Sequence, residues 1–166
     1  TKTDVIKVVK IAKDDPSNWS ETTLLERHEL LSRAALNMRK KRGDLIGVAA
    51  AVCGKTFYET DSEISEAIDF IEYYPHSLRL LEEQTSLKFS PMGVVLVIPP
   101  WNFPIAIPTG GVAAALACGN TVLFKPSPLA FPLGAEIVNC FWDSGIPREA
   151  LQLVSCEDGE PIQTLS

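Results

Sequence analysis

Two short blocks hold the residues best suited to chemistry in this 166-residue sequence, Pro99-Pro-Trp-Asn-Phe-Pro104 and Lys125-Pro-Ser-Pro128. Asn102 carries an uncharged amide with two N–H donors. Held rigidly in a dry cleft, such a donor stabilises a developing oxyanion, an effect worth about 3 kcal/mol in a transition state. An Asn shortly before a helix also serves as a cap, and the residue alone leaves both roles open. Lys125 is the one charged residue between positions 91 and 135. Its ammonium suits ribose hydroxyls or a phosphate; a lysine snorkelling out of an apolar region is the alternative. Because burying an ammonium is costly, Lys125 is expected to open to a cleft. Trp101 and Phe103 are placed to flank a flat ligand or to fill core. The surrounding prolines fix an extended, rigid turn.

The elements that must position these blocks follow from periodicity and punctuation. Val94-Val-Leu-Val-Ile98 is a continuous apolar run of the kind buried on both faces of a sheet. Residues 109–118 form a small-residue helix ended by Gly119-Asn120, both tolerant of the left-handed conformation. Thr121-Val-Leu-Phe-Lys125 is a second strand, residues 132–144 a second helix closed by Gly145, and Leu151-Gln-Leu-Val-Ser155 a third strand. Strand, helix, strand, helix, strand implies parallel pairing with right-handed crossovers. Open sheets of this kind bind ligands at the C-terminal ends of their strands, where both blocks lie. A GxGxxG turn after the first strand is absent, which excludes the usual glycine cradle for phosphate there.

Residues 1–90 read as helical and hold 28 of the 36 charged residues. Thr23-x-x-Glu26 and Thr60-x-x-Glu63 both fit the capping-box pattern. Behind the first, Leu24, Leu31, Ala35 and Met38 recur at helical spacing; behind the second, Ile64, Ile68, Ile71 and Leu78 do so. Arg39-Lys-Lys-Arg42 is expected to close the first helix before Gly43, as a solvated basic end complementing the helix dipole. The charge-poor stretch from 91 to 135 must be buried or line a cleft, and is expected to need covering by further chain.

Composition excludes several functions. Hydrophobic residues make up 46% and charged residues 22%, which fits a globular core rather than a disordered polymer. The net charge of −6 gives no basic footprint for nucleic acid or an anionic membrane. The most apolar stretch, 92–119, is interrupted by Pro99, Pro100, Pro104 and Pro108, which a membrane span tolerates poorly. Cys53, Cys118, Cys140 and Cys156 are far apart without a CxxC pair, so neither a zinc cage nor a disulfide framework is indicated. A soluble, cytoplasmic protein is expected. His28 and His76 have no partner spacing for a metal or triad. The absence of an initiator Met, with residues 159–166 reading as a helix just beginning, suggests a piece of a longer chain.

Ile98-Pro-Pro-Trp-Asn-Phe-Pro104 together with Gly119-Asn-Thr-Val-Leu-Phe-Lys-Pro-Ser127 resembles the aldehyde dehydrogenase superfamily. Trp19-Ser20, Arg27 and Gly54-Lys55 fit the same resemblance. Glu63-Ile-Ser-Glu-Ala-Ile-Asp-Phe70, with Tyr73-Tyr74, is similar to the glutamate-γ-semialdehyde (Δ1-pyrroline-5-carboxylate) dehydrogenase branch, nearest to the module found in bifunctional proline-utilisation enzymes. The fold implied is α/β, an incomplete aldehyde dehydrogenase fold: residues 1–90 as the N-terminal helical segment of the cofactor domain, and 91–166 as part of a Rossmann-like parallel βαβαβ unit.

The resemblance also implies roles. Asn102 matches the oxyanion-stabilising Asn. Ile98, Pro100 and Trp101 match the turn lying along the nicotinamide riboside, and Lys125 the lysine that bonds the adenosine ribose. Phe103 would pack the aliphatic part of the substrate, and Glu66 would approach it. The cofactor is NAD or NADP, because Ser127-Pro-Leu-Ala-Phe-Pro132 lacks the Glu that commonly repels a 2′-phosphate in relatives. FAD is expected only if a proline dehydrogenase domain is fused upstream. The implied partners are a small-molecule aldehyde and the remainder of the chain, with no nucleic acid and no membrane span. A homo-oligomer is left open, since 82–90 is short where many relatives insert an oligomerisation flap.

The implied reaction oxidises glutamate γ-semialdehyde to glutamate in proline catabolism. The nucleophilic Cys and general-base Glu of the family lie downstream of these residues, so the 166-residue chain alone is expected to be inactive. The alternatives are a non-catalytic or decayed module used for assembly, and an aldehyde dehydrogenase of another substrate class.

Overall fold

Three parallel strands, β1 (Val94–Val97), β2 (Thr121–Phe124) and β3 (Leu151–Leu153), lie in the order β1-β2-β3 in a computed structural model that describes residues 2–84 and 88–155. Val94 faces Thr121 and Val97 faces Phe124, while Val122 faces Leu151 and Phe124 faces Leu153. This is the expected βαβαβ unit, shifted by one to three residues at its boundaries. One expectation fails: β1 is only half-buried, whereas β2 is buried throughout. Both strands are apolar, but β2 is central and β1 is an edge among the described residues.

Ahead of the sheet come α1 (Lys2–Asp14), a 3-10 turn at Trp19–Glu21, α2 (Leu24–Lys40), α3 (Arg42–Cys53) and α4 (Phe57–Glu82). The crossovers are α5 (Ala106–Ala117) and α6 (Phe131–Trp142). Alternation along the strands divides them between two cores. Val95, Val97, Val122 and Phe124 join the main core with residues of α2 to α6. Val94, Leu96 and Leu123 pack with Val5, Val8, Val9 and Ala12 of α1 on the other face. Thr121 Oγ1 donates to the Ala12 carbonyl at 2.9 Å and Gln152 Nε2 to that of Val8 at 3.0 Å, fastening α1 to β2 and β3.

Two expectations in the helical half need correction. Thr23 and Glu26 do form a capping box, but the box that opens α4 is Thr56 with Glu59, not Thr60 with Glu63. Thr60 and Glu63 lie inside the helix and are buried, and the Thr60 hydroxyl donates to the Thr56 carbonyl. Arg39-Lys-Lys-Arg42 does not simply end a helix before Gly43. The chain turns at Lys41 and starts α3 at Arg42. Both cations of the junction are paired, Lys41 with Asp143 just past α6 at 3.1 Å and Arg42 with Asp61 of α4 at 2.6 Å. The basic run therefore ties the α2–α3 junction to α4 and to the end of α6.

No helix among the described residues is long and apolar enough to cross a membrane. Cys156 and residues 159–166 lie outside the described residues.

Candidate active site

The two chemistry-bearing blocks leave the sheet side by side. Val97 and Phe124 are register partners, and the Lys125 N–H donates to the Val97 carbonyl at 2.9 Å. Ile98 and Lys125 thus begin adjacent exits from the C-terminal edge, about 5 Å apart by the spacing of paired strands. From there the turn to α5 is anchored by Pro99 and Pro104, which are buried, while Pro100 and Asn102 are exposed. Ile98, Trp101 and Phe103 are each about half exposed. Proline's fixed φ at the buried anchors limits how far the residues between them can swing.

Asn102 does not cap the helix that follows. The cap position of α5 is Ile105, which has no side-chain cap bond. The Asn102 amide makes no hydrogen bond among the described residues, so its donors remain available. The group that satisfies the start of α5 comes from another helix. Glu63 Oε1 of α4 accepts the N–H of Ile105 at 2.6 Å and that of Ala106 at 3.0 Å. Its Oε2 accepts from Lys55 Nζ at 2.7 Å. Lys55 Nζ also donates to the Asn102 carbonyl at 3.1 Å and lies 4.6 Å from the centre of the Phe103 ring.

Lys125 is 3% exposed, and residues 121–126 are buried throughout, so Lys125 does not open to a cleft as its charge suggested. It follows the last residue of the central strand at the C-terminal end of the sheet, but its side chain is covered. Glu66 is exposed on α4; the carboxylate that reaches the turn is that of Glu63. Lys55 and Glu63 are the site residues that reasoning from the sequence missed. The misread capping box had already given Glu63 a role, and Lys55 figured only as part of a resemblance.

None of the described thiols is poised as a nucleophile. Burial raises Cys140 to about 11. Burial also raises Cys53, with the Glu63 charge adding to the effect, and raises Cys118 although Arg27 opposes it. No cluster of metal-ligating side chains occurs among the described residues. A cleft of about 400 Å³ bordered by Ala12, Asp15, Gly93 and Thr121 lies at the opposite, N-terminal end of the strands, away from Asn102.

The sequence matches the model of the aldehyde dehydrogenase family over residues 1–165. It is 36% identical over 154 residues to the bifunctional protein PutA of Escherichia coli K12, covering 93% of this chain and 12% of that protein. Among solved structures, PutA from Bdellovibrio bacteriovorus superposes with a TM-score of 0.93 at 28% identity, over 99% of this chain and 18% of its own. A 1-pyrroline-5-carboxylate dehydrogenase from Thermus with bound NAD gives 0.83 at 31% identity, over 90% of this chain and 31% of its own. The chain therefore spans a third or less of each of these relatives. With the parallel sheet, the proline-framed turn and the match along nearly its whole length, the chain belongs to the aldehyde dehydrogenase family.

Proposed function

We propose that these residues supply the oxyanion donor and part of the cofactor surface of an enzyme that oxidises glutamate γ-semialdehyde to glutamate with NAD or NADP. Residues 1–90 and 91–166 are read as successive parts of one cofactor domain. The observation that carries the proposal is Asn102: exposed, relieved of any capping duty by Glu63, and set in the turn that leaves the C-terminal end of β1.

Each residue then has a stated task. The Asn102 amide donates to the oxygen that becomes negative when a thiolate adds to the aldehyde carbon. That thiolate, and the base that activates water, are assigned to residues other than these, since the described thiols are all raised. Phe103 packs the aliphatic part of the substrate. Glu66 keeps a substrate role only through the family resemblance. Ile98, Pro100 and Trp101 present a rigid, exposed surface suited to a nicotinamide riboside, and Lys125, buried beside Ile98, keeps the adenosine-ribose role through the family resemblance. These residues fit a dinucleotide because apolar and donor groups converge at strand ends without a glycine cradle. When bound, the cofactor accepts the hydride from the substrate carbon. FAD enters only with a fused proline dehydrogenase domain.

The test is turnover of glutamate γ-semialdehyde by the full-length protein with either cofactor, comparing wild type with Asn102→Ala. The variant should lose kcat on the order of 10²-fold with little change in KM, because the donor acts on charge present only in the transition state. An unchanged kcat would remove Asn102 from catalysis. Cofactor binding without any aldehyde turnover would instead favour a non-catalytic module.

A further inference from the structure

Lys55 and Glu63 form a buried ion pair whose placement the helices themselves do not require. Their side chains are only 13% and 2% exposed, at 2.7 Å separation. A pair withdrawn from water this far offsets its desolvation only when the remaining lone pairs and protons are also satisfied. Here they are satisfied by the catalytic turn. The free Glu63 oxygen holds the N–H groups of Ile105 and Ala106, and the ammonium holds the Asn102 carbonyl. The same ammonium lies over the Phe103 ring.

Lys55 is itself fixed on both sides. Gly54, at φ 65°, closes α3, and Thr56 caps α4. A short rigid link between two helices thus delivers one cation to the backbone of Asn102, and the first turns of α4 deliver one carboxylate to the amides three and four residues further on.

We propose that Lys55 and Glu63 are positioning residues for Asn102, gripping the turn at the Asn102 carbonyl and at the amides three and four residues beyond it. The proposal rests on the oxyanion role given to Asn102 above. Lys55 touches neither substrate nor cofactor in this assignment; it acts by holding the direction of the donor. Displacing a catalytic group by about 1 Å costs up to roughly 10²-fold in rate.

The experiment uses the full-length protein with Lys55→Met, Lys55→Arg, Asn102→Ala and the double variant Lys55→Met with Asn102→Ala. Lys55→Met should lower kcat by about 10- to 100-fold with KM for the cofactor nearly unchanged. Lys55→Arg, which keeps the charge, should recover most of that loss. In the Asn102→Ala background Lys55→Met should cost little more, because the residue it positions is gone. Hydrogen exchange of the amides of Ile105 and Ala106 should quicken in Lys55→Met whether or not the protein turns over aldehyde. A kcat loss that adds in full to that of Asn102→Ala overturns the proposal, as does exchange identical to wild type. If Asn102→Ala leaves kcat intact, the oxyanion reading is what fails, and the exchange measurement still decides whether Lys55 braces the turn. If Lys55→Met does not fold, Lys55→Arg and its double variant with Asn102→Ala decide: slowed turnover that simply adds to the Asn102→Ala loss overturns it.

Discussion

Glu63 and Arg27 hold opposite ends of the same helix. Glu63 accepts the N–H groups of Ile105 and Ala106 where α5 begins, and Arg27 Nε donates to the Ala117 carbonyl at 2.9 Å where it ends. An acid at the start and a cation at the finish both complement the helix dipole. Helix α5 carries no charge of its own and most of its residues are buried, so its orphan backbone groups need partners from elsewhere. Trp19 Nε1 takes the Leu116 carbonyl at 3.3 Å, and Asn120 Nδ2 that of Ala115 at 3.1 Å. Asn120 Oδ1 meanwhile accepts from Met92 and Gly93 at the entrance to β1. Asn120 apart, it is the charged helical half of the chain that supplies these polar partners, through Glu63, Arg27 and Trp19.

Removing one of these grips should be felt in stability. Arg27→Met keeps much of the side-chain volume but leaves the carbonyls of Thr22 and Ala117 without their donor. The expected cost is about 1–3 kcal/mol, the penalty for an unsatisfied buried group. Arg33→Met, at an exposed position on the same helix, should stay within about 0.5 kcal/mol. Urea unfolding midpoints compare the two, and equal midpoints would contradict the role given to Arg27.

Acid should loosen the starts of α2 and α4 first. The Thr23 N–H holds the Glu26 carboxyl below its ordinary 4.5, with the Thr23 hydroxyl assisting. The Thr56 hydroxyl and then its N–H do the same for Glu59. A folded pKa below the unfolded one gives stability that is complete above pH 4.5 and is lost as pH falls through the folded value. Protection of the amides at both helix starts, taken relative to their intrinsic exchange at each pH, should therefore fall below that pH. Glu26→Gln and Glu59→Gln should flatten this dependence, and a profile unchanged by both substitutions would refute it.

Much of this was legible in local patterns, and what was not depended on distant partners. Alternation and turn residues locate the three strands and both crossover helices. The choice between Thr56-x-x-Glu59 and Thr60-x-x-Glu63 is not local, because both satisfy the capping pattern. Gly54, ending α3 just upstream, selects the first and leaves Glu63 free to face the turn. Whether Asn102 is a cap or a donor was equally hidden, since the group that satisfies α5 lies 42 residues from Ile105 in sequence. Burial of β1 against β2 follows from strand order, which composition does not encode.

Close approach beside Lys125 gives a two-sided test. A Cβ on Gly134 would meet Pro126 Cγ at 2.7 Å and Cβ at 2.9 Å, so α6 can lie against this loop only without a side chain there. Gly134→Ala should destabilise by about 1–3 kcal/mol through overpacking, despite gaining up to about 1 kcal/mol in helix propensity. Gly47→Ala, inside α3 with nothing within 4 Å of its Cβ, should instead stabilise by a few tenths to about 1 kcal/mol. Thermal unfolding that moves both variants in the same direction would show that the contact with Pro126 is not limiting.

The cofactor role proposed for Lys125 can be tested directly. Lys125 follows the last residue of the central strand next to Ile98, at the edge where sheets of this topology receive ligands. It is 3% exposed, so a ligand that reaches its ammonium makes a charge-assisted hydrogen bond in a site poor in water. Lys125→Met preserves most of the volume and removes the charge. Binding of the cofactor by the full-length protein should weaken by about 1.5–3 kcal/mol, the scale of a hydrogen bond to a charged group, or roughly 10- to 150-fold in Kd. The turn that follows, Pro128–Ala130, contains no acid to repel a 2′-phosphate. The protein should therefore accept NADP as well as NAD, and the variant should lose more affinity for NADP, which gains charge attraction in addition to the hydrogen bond. Titrating both cofactors into wild type and Lys125→Met separates the outcomes. Equal losses would confine Lys125 to the ribose, and no loss for either would make it a residue of the sheet alone.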